Sequence, residues 1–259
     1  MRIIDKLPNV PNFTEKSIRM ISDLLFVSDK PFDNNKQNSK SALQIIGNIA
    51  FLKDMLKDNI FSKVSNNYNI IPRLIISGGI NPEYKQNTEE TRLVQTLYTQ
   101  SGKYDWQEVL TTPESVIINN RLQKMLYNPW HNERKPLLET KSTNAKDNIA
   151  MVDKIGGYNE IEQLRLFTTA ESSLRVIAIA RNQLPKLKNI ASISYVPTFP
   201  ELGAVCDKQN WAKHPLAQRY VYGELLRVIK YNETEEIRLT YAEKQKLRNI
   251  VRELNMRQH

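Results

Sequence analysis

The sequence predicts an α/β fold built on a mainly parallel, five-stranded sheet with helices on both faces. Short apolar segments alternate with segments of helical periodicity from residue 42 to residue 199. The apolar segments are continuous, rather than alternating with polar residues, as is typical of strands buried on both faces. Strands that alternate with helices favour parallel pairing, because each helix crosses back over the sheet.

The five predicted strands each end in small, polar or proline residues. Gly47 closes the first strand, Gly78 and Gly79 close the second, and Pro197 interrupts the last. Glycine and proline are the residues that most often end regular structure. The predicted strands span residues 42–48, 73–79, 135–140, 164–169 and 191–199.

The predicted helices have recognisable ends. Thr112 and Pro113 are spaced as an N-cap and first helical residue, and Thr240 with Glu243 forms a capping box. The predicted helices span 14–26, 49–61, 87–102, 112–127, 144–157, 173–184, 216–231 and 240–254. We therefore divide the chain into an N-terminal helix with a polar linker (1–41), an α/β domain (42–202) and a C-terminal helical extension (203–259).

The amino-acid composition restricts the expected cellular location and the class of binding partner. The 259 residues carry a formal net charge of +9, which favours an anionic partner such as a phosphorylated small molecule, a nucleic acid or a membrane surface. The basic residues are dispersed, however, and acids interrupt the densest run at the C-terminus, as on a solvated helix. The start of the chain lacks the apolar core of a secretory signal, and no apolar run reaches about 20 residues. A cytoplasmic location is expected.

The single cysteine, Cys206, excludes a disulfide within the chain and fits a reducing compartment. No histidine stands near it in a recognisable motif, so a small apolar side chain is the favoured interpretation over a nucleophile. The sequence also lacks the glycine-rich dinucleotide fingerprint, the P-loop, the serine nucleophile elbow and the zinc helix motif. We expect no metal site.

Ligands of open parallel sheets bind beyond the carboxyl ends of the strands, so the residues that follow each strand are the candidates. Gly78 and Gly79 permit a positive φ and can leave backbone N–H groups bare. Ser142 and Thr143 open a helix, where N–H groups and the helix dipole favour an anion. Each feature also has a structural explanation as a turn or a cap. Their placement at one edge predicts a phosphate, carboxylate or nucleoside-like ligand.

Four segments in this order resemble a known family. They are "LIISGG", "PESVIINNRL", "LLETKSTNAKDNIA" and "TTAESSLRV", and with "LQIIGN" they cover about residues 42 to 200. The pattern resembles the YdcF-like family, a bacterial domain of unknown function that also includes SanA and ElyC, and most of all its soluble branch. Two positions depart from it, since Ser172 replaces a histidine found in many members and Asp147 replaces the usual glutamate.

The resemblance implies a Rossmann-like fold that binds S-adenosylmethionine. It implies no established reaction. As candidate catalytic carboxylates we select Glu114 and Glu139. As candidate residues for binding the cofactor we select Gly47, Asn48, Ser77, Gly78, Gly79, Ser142, Thr143, Asn148, Thr169 and Arg175. Two alternatives stay open at this point: an enzyme that acts on a phosphorylated or glycosylated cell-envelope precursor, and a basic protein that binds nucleic acid or a membrane surface.

Overall fold

A computed structural model describes residues 8–30, 32, 40–57, 72–99, 104–124, 135–199 and 204–254. Its centre is a five-stranded sheet in the order β3-β2-β1-β4-β5, and every neighbouring pair is parallel. Helices flank this sheet, so the predicted Rossmann-like α/β sandwich is confirmed. The strands are β1 (Ser41–Ile46), β2 (Arg73–Ser77), β3 (Leu137–Glu139), β4 (Gln163–Thr169) and β5 (Asn189–Tyr195).

The strand order places a crossover at the centre of the sheet. The chain runs outward from β1 to β3, then returns across the sheet to form β4 on the other side of β1. The carboxyl ends of β1 and β4 are therefore neighbours whose following loops diverge in opposite directions. This is the topological switch point, where open α/β sheets leave a crevice for ligands.

The described residues contain nine α-helices. The first two are α1 (Glu15–Leu25) and α2 (Leu52–Lys57). Those between the strands and in the extension are α3 (Glu89–Thr99), α4 (Trp106–Thr111), α5 (Glu114–Gln123), α6 (Ala145–Lys154), α7 (Ser173–Gln183), α8 (Pro215–Glu233) and α9 (Tyr241–Glu253). Short 3-10 helices span Ile49–Phe51, Pro82–Lys85 and Trp211–Lys213. The predicted capping box of Thr240 and Glu243 is confirmed at the start of α9.

The predicted fifth strand, 191–199, is wrong as a single element. β5 ends at Tyr195, and a separate antiparallel hairpin follows, β6 (Thr198–Phe199) with β7 (Ala204–Val205). Pro197 has no N–H group to continue the ladder. The N–H and hydroxyl groups of Thr198 donate instead to the carboxylate of Asp54, at 2.8 and 2.7 Å.

Two predicted helices also differ from the observed ones. The helix predicted at 112–127 begins at Glu114, because Thr112 closes the short helix α4, which the sequence did not reveal. The segment predicted as one helix at 49–61 starts as a 3-10 turn and continues as α2. The predicted helical residues 58–61, 100–102 and 125–127 lie outside the described residues.

The two ends of the described chain pack together. α1 packs against α7 and α9, and Lys16 of α1 forms an ion pair with Glu253 of α9 at 2.5 Å. Ile21, Leu24 and Leu25 bury the apolar face of α1. None of the described helices has the length and apolar character needed to cross a bilayer.

Candidate functional site

A cavity of about 750 Å³ lies at the carboxyl ends of the strands, at the switch point between β1 and β4. The sheet side is formed by the residues that follow β1, β2 and β4, and by the start of α6. The outer wall is α8. Its residues Tyr220, Glu224, Arg227 and Tyr231 line the cavity at the spacing of one helix face. The spacing of these four residues is visible in the sequence and is the signal that could have predicted this wall of the cavity.

Most of the predicted site residues line this one cavity. They are Gly47, Asn48, Gly78, Gly79, Glu114, Ser142, Thr143, Asn148 and Arg175. Within the described chain, Ser77, Glu139 and Thr169 are buried and are not part of the lining. Ser77 accepts a hydrogen bond from Gln44 at 2.8 Å and donates to the carbonyl of Ile45 at 3.2 Å, so it joins β1 and β2.

Glu114 is a buried carboxyl group at the start of α5 that faces the cavity. The hydroxyl of Tyr84 donates to its Oε1 at 2.9 Å, and the backbone N–H of Ile49 also donates to the carboxyl group. Burial raises the pKa of Glu114 to about 7, although both hydrogen bonds oppose the rise. Near neutral pH this group can therefore both accept and release a proton.

Gly47 and Gly78 allow Glu114 to lie against the ends of β1 and β2. A Cβ atom on Gly47 would come within 2.6 Å of Oε2 of Glu114, and one on Gly78 would come within 3.1 Å of its Cβ. Gly78 has a φ of +145°, so the predicted positive φ is confirmed there. These glycines bring the carboxyl group, rather than an external anion, close to the backbone.

The expectation of bare N–H groups at these glycines is wrong. The N–H of Gly47 donates to the carbonyl of Ser77 at 2.8 Å, that of Gly78 to Glu139 at 3.1 Å, and that of Gly79 to Ser142 at 2.7 Å. A Cβ on Gly79 would meet the carbonyl oxygens of Ser142 and Thr140 at 2.6 and 2.8 Å. The glycine pair therefore fits the loop that follows β3 against the end of β2.

Glu139 organises that same loop. Its Oε1 accepts hydrogen bonds from the N–H groups of Lys141, at 2.6 Å, and Ser142, at 3.0 Å, and the hydroxyl of Ser142 bonds Oε2. The same hydroxyl contacts the side chain of Asn148 in α6. Glu139 is buried and its carboxylate is occupied by the loop, an arrangement that favours a positioning role over the catalytic one expected for it.

The start of α6 already has an acidic side chain of its own. Asn144 caps the helix by accepting a hydrogen bond from the N–H of Asp147 at 2.9 Å. The carboxylate of Asp147 in turn accepts from the side chains of Asn144, at 2.7 Å, and Thr143, at 3.3 Å. A carboxylate here satisfies the helix dipole, and that weakens the case for an anionic ligand at this helix.

Glu171 is a second buried carboxyl group of the cavity, and the sequence analysis did not select it. It follows β4, it is only 1% exposed, and it lines the cavity. The hydroxyl of Thr169 donates to its Oε1 at 2.6 Å. Burial raises the pKa of Glu171 to about 7. In the sequence it resembles any acidic residue near a helix start, and no local signal reveals its burial.

Arg175 is committed to a partner from the C-terminal extension. Its guanidinium forms an ion pair with the buried carboxylate of Glu224 in α8 and lies 6.0 Å from the ring centre of Tyr231. Lys146 likewise pairs with Glu236 at 2.9 Å. Arg227, which also lines the cavity, lies 3.5 Å from the same Glu224 carboxylate, so three cations of the lining are paired with carboxylates of the protein.

The remaining candidates have simpler environments. Ser172, at the position of the family histidine, lines the cavity and makes no cap hydrogen bond. Cys206 is buried, and burial raises the pKa of its thiol well above the usual range, which favours a packing role. His214 caps α8, while His131 and His259 lie outside the described residues. In the described part of the chain, no group of three or more His, Cys, Asp or Glu side chains could hold a metal ion.

The cavity therefore has two buried acids on the sheet side and a mixed, largely paired set of charges along α8. Comparison with protein-family models gives no match, and comparison with curated proteins also gives none.

Proposed function

We propose that the protein binds a nucleotide-type small molecule in this cavity, with S-adenosylmethionine as the leading candidate, and that it is a soluble member of the YdcF-like family. The observation that carries the proposal is the pair of buried carboxyl groups, Glu114 and Glu171, at the switch point of a Rossmann-like sheet. In dinucleotide-binding Rossmann folds, an acidic side chain near the carboxyl ends of the strands accepts a hydrogen bond from a ribose hydroxyl.

The charges of the cavity favour a ligand with donors or positive charge at one end and a carboxylate at the other. The sheet side offers Glu114 and Glu171, whereas α8 offers the cations Lys230 and Arg227, the latter 3.5 Å from the carboxylate of Glu224. A multiply charged phosphate would have to compete with the carboxylates that already bind Lys146 and Arg175. An amino acid conjugated to a nucleoside matches this distribution better.

Thermal denaturation of the full chain tests the proposal. The panel contains S-adenosylmethionine, S-adenosylhomocysteine, adenosine, nucleotides, sugar nucleotides and inorganic phosphate. A ligand of the native state raises the midpoint by mass action, by an amount that increases with its concentration. We expect the largest shift with S-adenosylmethionine. If only phosphates produce a shift, the nucleoside proposal is wrong.

A cavity-blocking variant localises the effect. Ser172→Phe places a bulky ring in the cavity at a side chain that makes no cap hydrogen bond, so the shift should disappear while the fold persists. Asn249→Phe, on the exposed face of α9, is the matched control and should leave the shift unchanged. The double substitution Gly78→Val/Gly79→Val is unsuitable, because a side chain at Gly79 meets backbone carbonyls of the next loop.

A second candidate function is an enzyme acting on a phosphorylated or glycosylated envelope precursor. One observation favours it: both cavity carboxyls have a pKa of about 7, so one can be protonated while the other is ionised. Such a pair suits general acid–base catalysis. Turnover of a sugar nucleotide or phosphate ester that disappears in both Glu114→Gln and Glu171→Gln, with binding retained, would support an enzyme. Absence of turnover across these substrates would count against it.

A further inference from the structure

Glu171 has an acceptor atom that the protein leaves unused. Its Oε2 is buried and accepts no hydrogen bond within the described structure, whereas Oε1 accepts from Thr169. An unsatisfied buried acceptor costs about 1–3 kcal/mol, so such atoms are rare in native proteins and call for an explanation. Because Glu171 also lines the cavity, a bound ligand can supply the missing partner.

Glu114 makes a useful contrast, because its bonds are supplied by the protein. It accepts from the hydroxyl of Tyr84 and from the N–H of Ile49. Both carboxyl groups are buried at the same cavity, but Oε2 of Glu171 is a buried oxygen to which no described group donates. A ligand therefore gains more from Glu171 than from Glu114.

We infer that Oε2 of Glu171 binds a cationic group of the ligand, a sulfonium or an ammonium. The inference rests on the proposed function and specifies which end of the ligand is buried. A cation is favoured over a neutral donor because it compensates the desolvated carboxylate. Among the described residues, Arg175 acts on Glu171 but is itself bound to Glu224.

The groups around Glu171 support this assignment from every side. Thr169 approaches from β4 as a neutral donor, and Arg175 of α7 is bound to Glu224 of α8. Glu224 raises the pKa of Glu171 and Arg175 lowers it, but burial outweighs both. The hydroxyl of Tyr195, at the end of β5, is buried without a partner, and burial raises its pKa well above the usual range, so it is neutral.

The remaining neighbours are also uncharged or negative. Cys206 follows β7, and the proximity of Glu171 helps to raise the pKa of its thiol. Tyr220 of α8 lines the same cavity. Since Arg175, the described cation that acts on Glu171, is already paired with Glu224, a ligand would bring a positive charge that is free to pair with Glu171. Its arrival favours the ionised carboxylate and displaces the proton.

The consequence is an affinity that rises with pH. At a pKa of about 7, the ionised fraction of Glu171 grows about tenfold between about pH 6 and about pH 8. The affinity for a cationic ligand should therefore grow about tenfold over the same interval. A ligand without the cation should show no such change, because it has no preference for the carboxylate.

Isothermal titration calorimetry of the full chain provides the test, at about pH 6 and about pH 8. The probes are S-adenosylmethionine, S-adenosylhomocysteine, which keeps the ammonium but lacks the sulfonium, and adenosine, which lacks both. Buffers of different ionisation enthalpy count the protons released. We expect an affinity that increases with pH for S-adenosylmethionine, proton release at pH 6, and neither effect for adenosine.

Variants assign the effect to one carboxyl group. Glu171→Gln keeps the shape, so it should lower the affinity about ten- to a hundredfold at pH 8 and abolish the pH dependence. Glu114→Gln should retain the pH dependence. Glu162→Gln, half-exposed at the opposite edge of the sheet in an ion pair with Lys40, is the control and should behave as wild type.

Each other outcome overturns the inference in a distinct way. If S-adenosylmethionine binds with a pH-independent affinity, or the pH dependence is lost in Glu114→Gln instead, the assignment to Glu171 is wrong and the proposed function stands. If none of the three probes binds the wild type, the proposed function fails and the inference fails with it.

One further variant keeps the test decisive if Glu171→Gln does not fold. Thr169→Val removes the donor to Oε1, whose bond lowers the pKa of Glu171. The midpoint of the affinity profile should then move to higher pH. An unchanged midpoint in a folded Thr169→Val protein would overturn the inference.

Discussion

The amino ends and the carboxyl ends of the strands differ in the hydrogen bonds that the protein supplies to a buried charged side chain. Near the amino ends of the strands, Arg165 is 3% exposed, and its guanidinium donates to the carbonyl of Lys30 at 2.7 Å and to the side chain of Asn189 at 3.1 Å. At the carboxyl ends, Glu171 is 1% exposed, and no described group donates to its Oε2. Burial of a charge therefore does not by itself identify a ligand site; Glu171 differs from Arg165 in having an unsatisfied acceptor in a side chain that lines the cavity.

The largest loss of stability should come from a substitution near the amino ends of the strands, where the buried guanidinium has its hydrogen-bond partners. Arg165→Met removes a guanidinium that also lies 5.0 Å from the ring centre of Phe32, and it leaves carbonyl groups without donors. We expect a loss of about 4 kcal/mol in the free energy of unfolding. Chemical denaturation measures the change.

The matched control is Arg181→Met, whose guanidinium is paired with Glu243 at a partly exposed site. That change should cost less than about 1 kcal/mol. If the two substitutions cost the same, the amino edge is not stabilised by the buried bonds of Arg165. Ligand affinity should be unaffected in both, because neither residue lines the cavity.

The next largest effect is a stability that falls as pH rises. Glu114 and Glu171 have a folded pKa of about 7, above the ordinary value of 4.5. The folded state therefore holds protons that the unfolded state has released, and stability decreases between about pH 4.5 and about pH 7. Each group contributes a loss of up to about 3 kcal/mol.

Thermal denaturation across this range measures the loss. Glu171→Gln should flatten the profile and raise the midpoint above that of wild type near pH 8, since the amide has no charge to bury. Glu162→Gln should leave the slope as it is. A wild-type midpoint that rises steadily with pH through 7 would contradict the raised pKa of these groups.

A smaller loss of stability is expected where the loop after β2 contacts the loop after β3. Gly79→Ala places a Cβ 2.6 Å from the carbonyl oxygen of Ser142, and only movement of backbone can relieve that contact. We expect a cost of about 2 kcal/mol in the free energy of unfolding. Gly156→Asn is the comparison, because asparagine tolerates its φ of +71° and the neighbouring Asn159 side chain can move. Equal costs would contradict the proposed fit of the loop against Gly79.

The smallest expected loss of stability comes from a substitution that affects Glu114 but not Glu171. Tyr84→Phe removes one donor to Glu114 and should raise the pKa of that group further, at a cost of about 1 kcal/mol above pH 7. The pH dependence of ligand affinity should persist, because it depends on Glu171. Comparison of calorimetric titrations of Tyr84→Phe and wild type measures both points.

The sequence predicted the fold better than the chemistry of the site. Continuous apolar strands and capped helices are local patterns, so the sheet, the positive φ of Gly78 and the capping box at Thr240 could all be predicted. The edge at which the candidates gather also follows from the parallel strand pattern. These features depend on residues close together in the chain.

The chemistry of the site depends on residues far apart in the chain. The sequence predicts Arg175 as a cofactor-binding residue, but its partner Glu224 lies 49 residues away on a helix of the extension. Glu171 and Glu139 look alike in the sequence. Only the three-dimensional arrangement shows that the loop after β3 occupies Glu139 and that nothing occupies Oε2 of Glu171.

The packing of α1 against α9 has a consequence for biosynthesis. Because α9 spans Tyr241–Glu253, the first helix completes its contacts only after more than 200 further residues have left the ribosome. Until then part of its apolar face has no partner, and such surfaces are prone to self-association. A nascent chain that stalls before α9 would therefore be a target for chaperones, even though its central sheet can already form.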